Sequence, residues 1–250
     1  MRIDHPEQGN IPKLRGLWQE AFGDTDGFLD RFFATGFHKE RCLCVTENDT
    51  VAAALYWFDC QFQQKTVAYI YAVATGKAFQ NRGFCRMLME KTHELLRKQG
   101  YAGAVLVPGS ESLFDLYRKM GYKTLSCMDV LSCTAGTESV DVRRISAAQF
   151  GVLRRSFLPK NSIFQEKEGL LFLDACWQLY AGENFLLAAM EDGDRLVGME
   201  LLGNPAAAPG ILAALGKKEG TFRTPGVGDF AMYHSLNDSR LPHYFGLAFD

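Results

Sequence analysis

Apolar residues recur along the first half of the chain with two different periods, and the switches between them predict the elements. Leu14, Leu17, Trp18 and Ala21 form one stripe at helical spacing over residues 10–22. Asn10 suits the N-cap, Pro12 the first turn, and Gly23 the stop. A second helix is expected from Asp26, with Phe28, Leu29, Phe32 and Phe33 on its apolar face. Residues 42–45 and 51–58 then flank Glu47-Asn48-Asp49 and predict a β-hairpin. The run 66–74 is almost continuously apolar, as a strand buried on both faces would be. A helix from about Gly83 to Gln99, closed by Gly100, follows a polar loop. Residues 104–107 form a strand, Leu113–Met120 a short helix ended by Gly121, and Tyr122–Cys133 a further strand.

Residues 134–140 are small and polar and mark a domain boundary, giving domains 1–138 and 139–250. Past it the opening pattern returns in outline. Helices are expected near 146–156 and 165–180, then a hairpin of 185–190 and 196–202 around the turn 191–194. Helix, helix, strand, turn, strand is also the order of residues 10–64, so the second half reads as a degenerate copy of the first. It continues with a short helix within 203–212, a strand and turn over Thr221–Asp229, and an apolar-aromatic run Tyr244–Asp250.

Composition narrows the class. With 47% hydrophobic and 22% charged residues over 250 positions, the chain resembles ordinary globular proteins of one or two domains. A net charge of −2 with mixed signs gives no reason to expect a nucleic-acid partner or a membrane surface. No apolar stretch reaches the length of a membrane span, and Met-Arg-Ile-Asp-His-Pro has no signal-peptide core, so a cytoplasmic location is expected. Seven scattered cysteines fit a reduced compartment. Cys42 and Cys44 lack the further His or Cys partners that a metal site would need, and no metal is expected. The pattern sets no oligomeric state.

The informative segment runs Val73-Ala-Thr-Gly-Lys-Ala-Phe-Gln80-Asn-Arg-Gly83-Phe-Cys85-Arg86. A buried strand enters a loop that becomes the first turn of a helix, where free N–H groups and the positive end of the dipole form an anion site. Gly83 and the small Cys85 allow close backbone approach, and Arg82 and Arg86 can add charge. The sequence has neither the Gly-Lys-Ser/Thr of a P-loop nor the Gly-x-Gly-x-x-Gly of a dinucleotide fold.

This segment resembles motif A of the GCN5-related N-acetyltransferases, Gln/Arg-x-x-Gly-x-Gly/Ala, with Gln80, Gly83 and Cys85 at its fixed positions. Cys85 departs from the usual Gly or Ala but remains small. The resemblance covers roughly residues 40–130. It extends to Leu113-Phe-Asp-Leu-Tyr117-Arg-Lys-Met-Gly121-Tyr122, although Ser110 stands where the family often has Asn. It implies an α/β fold with a mixed central sheet flanked by helices, here as two tandem domains with the second degenerate and completing the acceptor site. It also implies acetyl-CoA as co-substrate, held by Val73, Ala74, Thr75, Gln80, Asn81, Arg82, Gly83, Phe84, Cys85 and Arg86. The acceptor would be a small-molecule or peptide amine.

In the mechanism so implied, strand amides near Val73 stabilise the tetrahedral oxyanion and Tyr117 protonates the departing thiolate. The plain alternative for Tyr117 is packing between helix and sheet. Tandem organisation and Tyr-Ile-Tyr-Ala-Val-Ala-Thr are similar to the enhanced-intracellular-survival-type acetyltransferases, whose base is the terminal carboxylate. That would assign the base to Asp250; the alternative is a last strand completing the second domain. Asp59 and Glu200, each among apolar neighbours, are further base or amine-binding candidates. His93, beside Glu90, Lys91 and Glu94, is expected on a solvated face. Two other readings stay open: a CoA-binding module without turnover, and transfer of a longer acyl or aminoacyl group.

Overall fold

The computed structural model describes residues 1–249. Two compact units divide them, one of Met1–Lys123 with Met232–Leu241, the other of Thr124–Ala231 with the residues from Pro242 onward. The division therefore lies at Lys123/Thr124 and not at 138/139. Residues 134–140 are no linker, because Ala135, Gly136 and Val140 donate backbone hydrogen bonds to Lys218, Pro209 and Gly210 inside the second unit. Polar composition marked exposure there, and exposure is not separation.

The first unit holds β1 (Arg2–Asp4), α1 (Ile11–Phe22), α2 (Asp26–Thr35), β2 (Cys42–Glu47), β3 (Thr50–Phe62), β4 (Lys65–Thr75), α3 (Phe84–Lys98), β5 (Gly103–Leu106) and α4 (Glu111–Arg118). Its strands lie in the order β1-β2-β3-β4-β5, antiparallel throughout except for the parallel pair β4 and β5. Both hairpins turn on two left-handed residues, Asn48 and Asp49 (φ 47° and 60°), then Gln63 and Gln64 (φ 47° and 65°). That twist matches the strands they join. The cap of α2 is Thr25, whose hydroxyl accepts from Phe28 N at 3.3 Å.

Alternation along β3 and β4 sorts side chains onto two faces. Leu55, Trp57, Ala68 and Ile70 meet Phe84, Leu88, Met89 and Leu96 of α3 and Tyr117 of α4. Tyr56, Phe58 and Tyr71 meet Trp18 of α1 and Phe32 of α2, with ring centroids 4.6 Å apart for Trp18–Phe32 and 5.1 Å for Trp18–Tyr56. Each such ring, fully buried, contributes about 1.5–3 kcal/mol. The sheet is thus a mixed α/β layer with helices on both faces, and β4 is covered on each side.

The second unit contains most of β6 (Lys123–Thr134), then β7 (Arg143–Arg144), α5 (Ala147–Phe157), β8 (Phe164–Gln165), α6 (Glu168–Cys176), β9 (Gln178–Ala181), β10 (Phe185–Asp192), β11 (Arg195–Gly203), α7 (Ala208–Ala214) and the first part of β12 (Glu219–Ser235). Its sheet runs β7-β9-β10-β11-β12 with β6 on β12, and β11 pairs in parallel with β12 across α7. Strand for strand this repeats β1-β2-β3-β4-β5 with α3 between the parallel pair. Residues 178–181 are a strand and not the end of a helix, since they pair with Leu186–Ala189. Sheet pairing overrides the helical pattern there.

No turn interrupts β12. The Asp129 carboxylate accepts from Val227 N and Gly228 N, both at 3.1 Å, so a side chain replaces ladder partners beside Pro225. The run 244–249 is not a strand either. It is anchored by buried Tyr244, Phe245, Leu247, Ala248 and Phe249, and its main backbone tie is a bridge between Ser162 and Tyr244.

β12 serves both sheets: residues 219–222 pair with β11, and Met232–Ser235 pair antiparallel with β5. The first unit thus takes its last strand from far along the chain. A chain ended after residue 138 leaves β5 without that partner and the core without Met232. It should lose the cooperative thermal transition of the full chain. A sharp melt close to the full-length midpoint would show the last strand to be dispensable.

Candidate active site

The loop between β4 and α3 is fixed by irregularities at both ends. β4 opposes β3 in register from Phe62↔Lys65 to Tyr56↔Tyr71, then resumes at Ala54↔Ala74. One extra residue on β4 makes a bulge, and Ala72 takes it up at φ 48°. On the opposite edge, β4 pairs with β5 only from Val67↔Gly103 to Tyr69↔Val105. β5 ends at Leu106 while β4 runs on to Thr75. The strands part, and the segment around Val73, Ala74 and Thr75 borders the gap.

Gly76 then passes close to α1, where an added Cβ would lie 3.3 Å from the Glu20 carboxylate. That carboxylate also accepts from Lys77 N at 3.3 Å. A single 3-10 turn, Lys77–Phe79, leads to exposed Gln80, Asn81 and Arg82. Gly83, at φ 80°, occupies the N-cap position of α3, where an L side chain would be strained. No side chain caps this helix, and its first turn carries no acidic residue. Its amides are therefore available to an anion and nothing local competes for them.

The arginines differ. Arg82 is held by Glu47 at 2.8 Å, and its guanidinium lies over the Phe84 ring at 4.7 Å. Arg86 is exposed on the first turn. Cys85, half-buried in that turn, has its thiol pushed up by burial, which keeps it neutral. That disfavours a nucleophilic thiolate at this position.

Tyr117 is 6% exposed and packs in the α3 face of the core. Burial first, and the neighbouring Cys85 second, raise its phenol above the ordinary tyrosine range. Its ring meets Tyr122 edge-on at 5.7 Å. Ser110 sits at the N-cap position of α4 without a capping bond and faces Ser112 Oγ at 3.1 Å.

The acids considered as bases are engaged elsewhere. Asp59 accepts from Arg41 at 2.8 Å and from the Tyr101 hydroxyl at 2.6 Å. Glu200 belongs to the second unit, fully buried, and receives both Nε and Nη2 of Arg154 at 2.6 and 2.8 Å, plus the Tyr244 hydroxyl. Asp250 lies outside the described residues. Among the described residues no three His, Cys, Asp or Glu gather as metal ligands, and no helix is long and apolar enough to cross a membrane.

His93 is not on a solvated face. It is 4% exposed, with Nε2 at 2.8 Å from the Tyr122 hydroxyl and its ring stacked at 4.4 Å on His234 from the end of β12. The charged residues beside it in sequence, Glu90, Lys91 and Glu94, are exposed while its own ring turns inward. His234 lies 141 positions away (234 − 93), so nothing local in the sequence announced the pair.

Residues 2–125 match the family described as Acetyltransferase (GNAT) domain. No curated protein matches the chain by sequence. Among solved structures, the chain is similar to a GCN5-related N-acetyltransferase from Kribbella flavida, with 19% identity, 94% of this chain and 71% of that one covered, and a TM-score of 0.71. A GCN5-related N-acetyltransferase from Anabaena variabilis gives 15% identity, coverages of 94% and 73%, and a TM-score of 0.74. Eis1 from Mycobacterium abscessus gives 9%, 95%, 74% and 0.67. At these identities the likeness is one of fold.

Burial first, then His234 and Arg97, lower the His93 imidazole from 6.5 to about 3. The unfolded chain therefore binds more protons between those values, and the stability due to neutral His93 is lost as pH falls through that window. The loss should reach roughly 4 kcal/mol by the acid end of the window. Denaturant melts across pH should show that slope in the wild type and a flatter one in His93→Phe. Parallel profiles would contradict the burial of a neutral imidazole.

Proposed function

The chain belongs to the GCN5-related N-acetyltransferase superfamily through residues 2–125, and from that premise we propose that this acyltransferase moves an acetyl group from acetyl-CoA to a primary amine. The carrying observation is the uncapped start of α3 at the end of a strand that has parted from its neighbour. Gln80 to Arg86 would cradle the pyrophosphate, with the amides of the first helical turn as donors. The pantetheine arm would lie in the gap beside Val73, Ala74 and Thr75, continuing the ladder that β5 abandons.

The amine nitrogen attacks the thioester carbonyl, and backbone amides near Val73 hold the oxyanion. As the C–S bond breaks, the thiolate takes the Tyr117 proton, and the cationic nitrogen of the tetrahedral intermediate loses its proton to solvent to give the neutral amide. Solvent returns a proton to the Tyr117 phenolate. Tyr117 enters the step protonated, and burial, which raises its phenol, suits it to donate a hydrogen bond to the departing sulfur more than to act as a strong acid. The expected acceptor is a small-molecule or peptide amine.

A thiol-release assay with acetyl-CoA over a panel of primary amines tests the activity. Tyr117→Phe removes one hydroxyl and should lower turnover by about 10² to 10⁴-fold while leaving CoA affinity intact. Unchanged turnover would return Tyr117 to a packing role. Gly83→Val should weaken CoA binding by calorimetry without loss of fold. Nothing lies within 4 Å of an added Cβ, so the harm comes from φ 80°, which a branched side chain resists, and from that side chain standing where the phosphate would approach. Wild-type affinity in Gly83→Val would remove the loop from the binding site.

A further inference from the structure

The helix that carries Tyr117 has few holds of its own. It spans eight residues, lacks a side-chain cap at Ser110, and fully buries only Tyr117, with Leu113 and Phe114 partly buried against the core. Its C-terminal end is fixed differently. Tyr122 N donates back to Tyr117 O at 3.1 Å across Gly121, which sits at φ 88°. The Tyr122 hydroxyl bonds His93 of α3, and the Gly121 carbonyl accepts from Nδ1 of His234 at 3.0 Å. Nε2 of His234 is left to accept from Arg97 at 3.1 Å, four residues along α3 from His93. These two bonds set one neutral tautomer of His234. An added Cβ at Gly121 would lie 3.0 Å from that ring.

The cluster therefore joins three segments within the first unit: α3, the end of α4 and the last strand. Tyr117 packs against α3 in the core while the Tyr122 hydroxyl bonds His93, so α3 holds the Tyr117–Tyr122 segment both by packing and by a hydrogen bond. We propose that His93, Tyr122 and His234 are positioning residues, which hold the Tyr117 hydroxyl in register with the first turn of α3. This rests on the reading of Tyr117 as the acid. A shift of about 1 Å in a reacting group can cost on the order of 100-fold in rate. A support this far from the loop would act on turnover and not on CoA binding.

The test uses the full chain, acetyl-CoA and the primary amine of the panel with the highest wild-type turnover. Tyr122→Phe removes only the bond to His93. His234→Leu removes the bond to Gly121, whereas the amide of His234→Asn can still donate to that carbonyl. The first two should lower kcat about 10- to 100-fold, with KM for acetyl-CoA and calorimetric CoA affinity within about twofold; His234→Asn should keep most of the rate. Independently of turnover, NMR of ring-labelled tyrosine should show the Tyr117 phenol titrating at lower pH in His234→Leu, because a loosened helix admits water. Its signal is assigned by its absence in Tyr117→Phe. Unchanged kcat and an unchanged titration would overturn the proposal, as would equal loss of rate and CoA affinity. Tyr117→Phe separates the two levels. If it slows turnover while the others do not, only the positioning role falls; if it does not, the acid itself falls.

Discussion

The parting of β4 from β5 is the constraint around which the first unit is built. A parallel pair that stops after Tyr69↔Val105 leaves the rest of β4 without a neighbour on that edge. An exposed strand edge is ordinarily a liability, because unpaired amides and carbonyls invite another strand. Here the edge leads, through the turn Lys77–Phe79 and the loop 80–83, to the uncapped end of α3. The bulge at Ala72 turns the strand at the same place. A ligand with an extended arm and a polyanionic end would satisfy both, and that is the chemistry of a CoA thioester.

Keeping such a gap open requires rigidity on either side. β4 is paired with β3 on both sides of the Ala72 bulge and covered by α3 on one face and by the Trp18–Phe32–Tyr56 cluster on the other. β5 has only four residues and depends for its second edge on Met232–Ser235. That dependence makes the two halves of the sequence one folding problem. The strand completing the first sheet is made only after the second unit's helices and hairpin have been passed.

The second unit repeats the order of the first without its chemistry. Where the first enters α3 from a glycine-led loop, the second enters the short helix Ala208–Ala214 from a proline-bearing 3-10 turn capped by Asn204. Its most polar interior feature is Arg154, 2% exposed, bonded to Glu200, 0% exposed, and to Gln165. Removing one partner of such a pair costs roughly 3–5 kcal/mol, since it strands a buried charge. The pair sits where Tyr244 and the chain through Gly246 close over it. Its visible role is to hold the C-terminal segment where no strand ladder does.

How much of this could be read from the sequence follows from the range of the interactions. Periodicity located α1 to α4 and β2 to β5 within a few residues, because amphipathic stripes, turns and glycine stops are local. The loop Gln80–Cys85 was legible as the entry to a helix for the same reason, since a glycine-led helix start is a property of consecutive residues. The polar run 134–140 could not reveal that it folds against α7, and the Thr221–Asp229 segment could not reveal that Asp129 would straighten it. His93 was misplaced because its neighbours in sequence are charged, while its neighbours in space, Tyr122 and His234, come from other elements. The sequence by itself determined most of the elements and the place of the loop at a helix start. Tertiary structure decided which distant strand completes the first sheet and which acids are already paired. Those outcomes depend on contacts between residues far apart in the chain, and no local pattern encodes them.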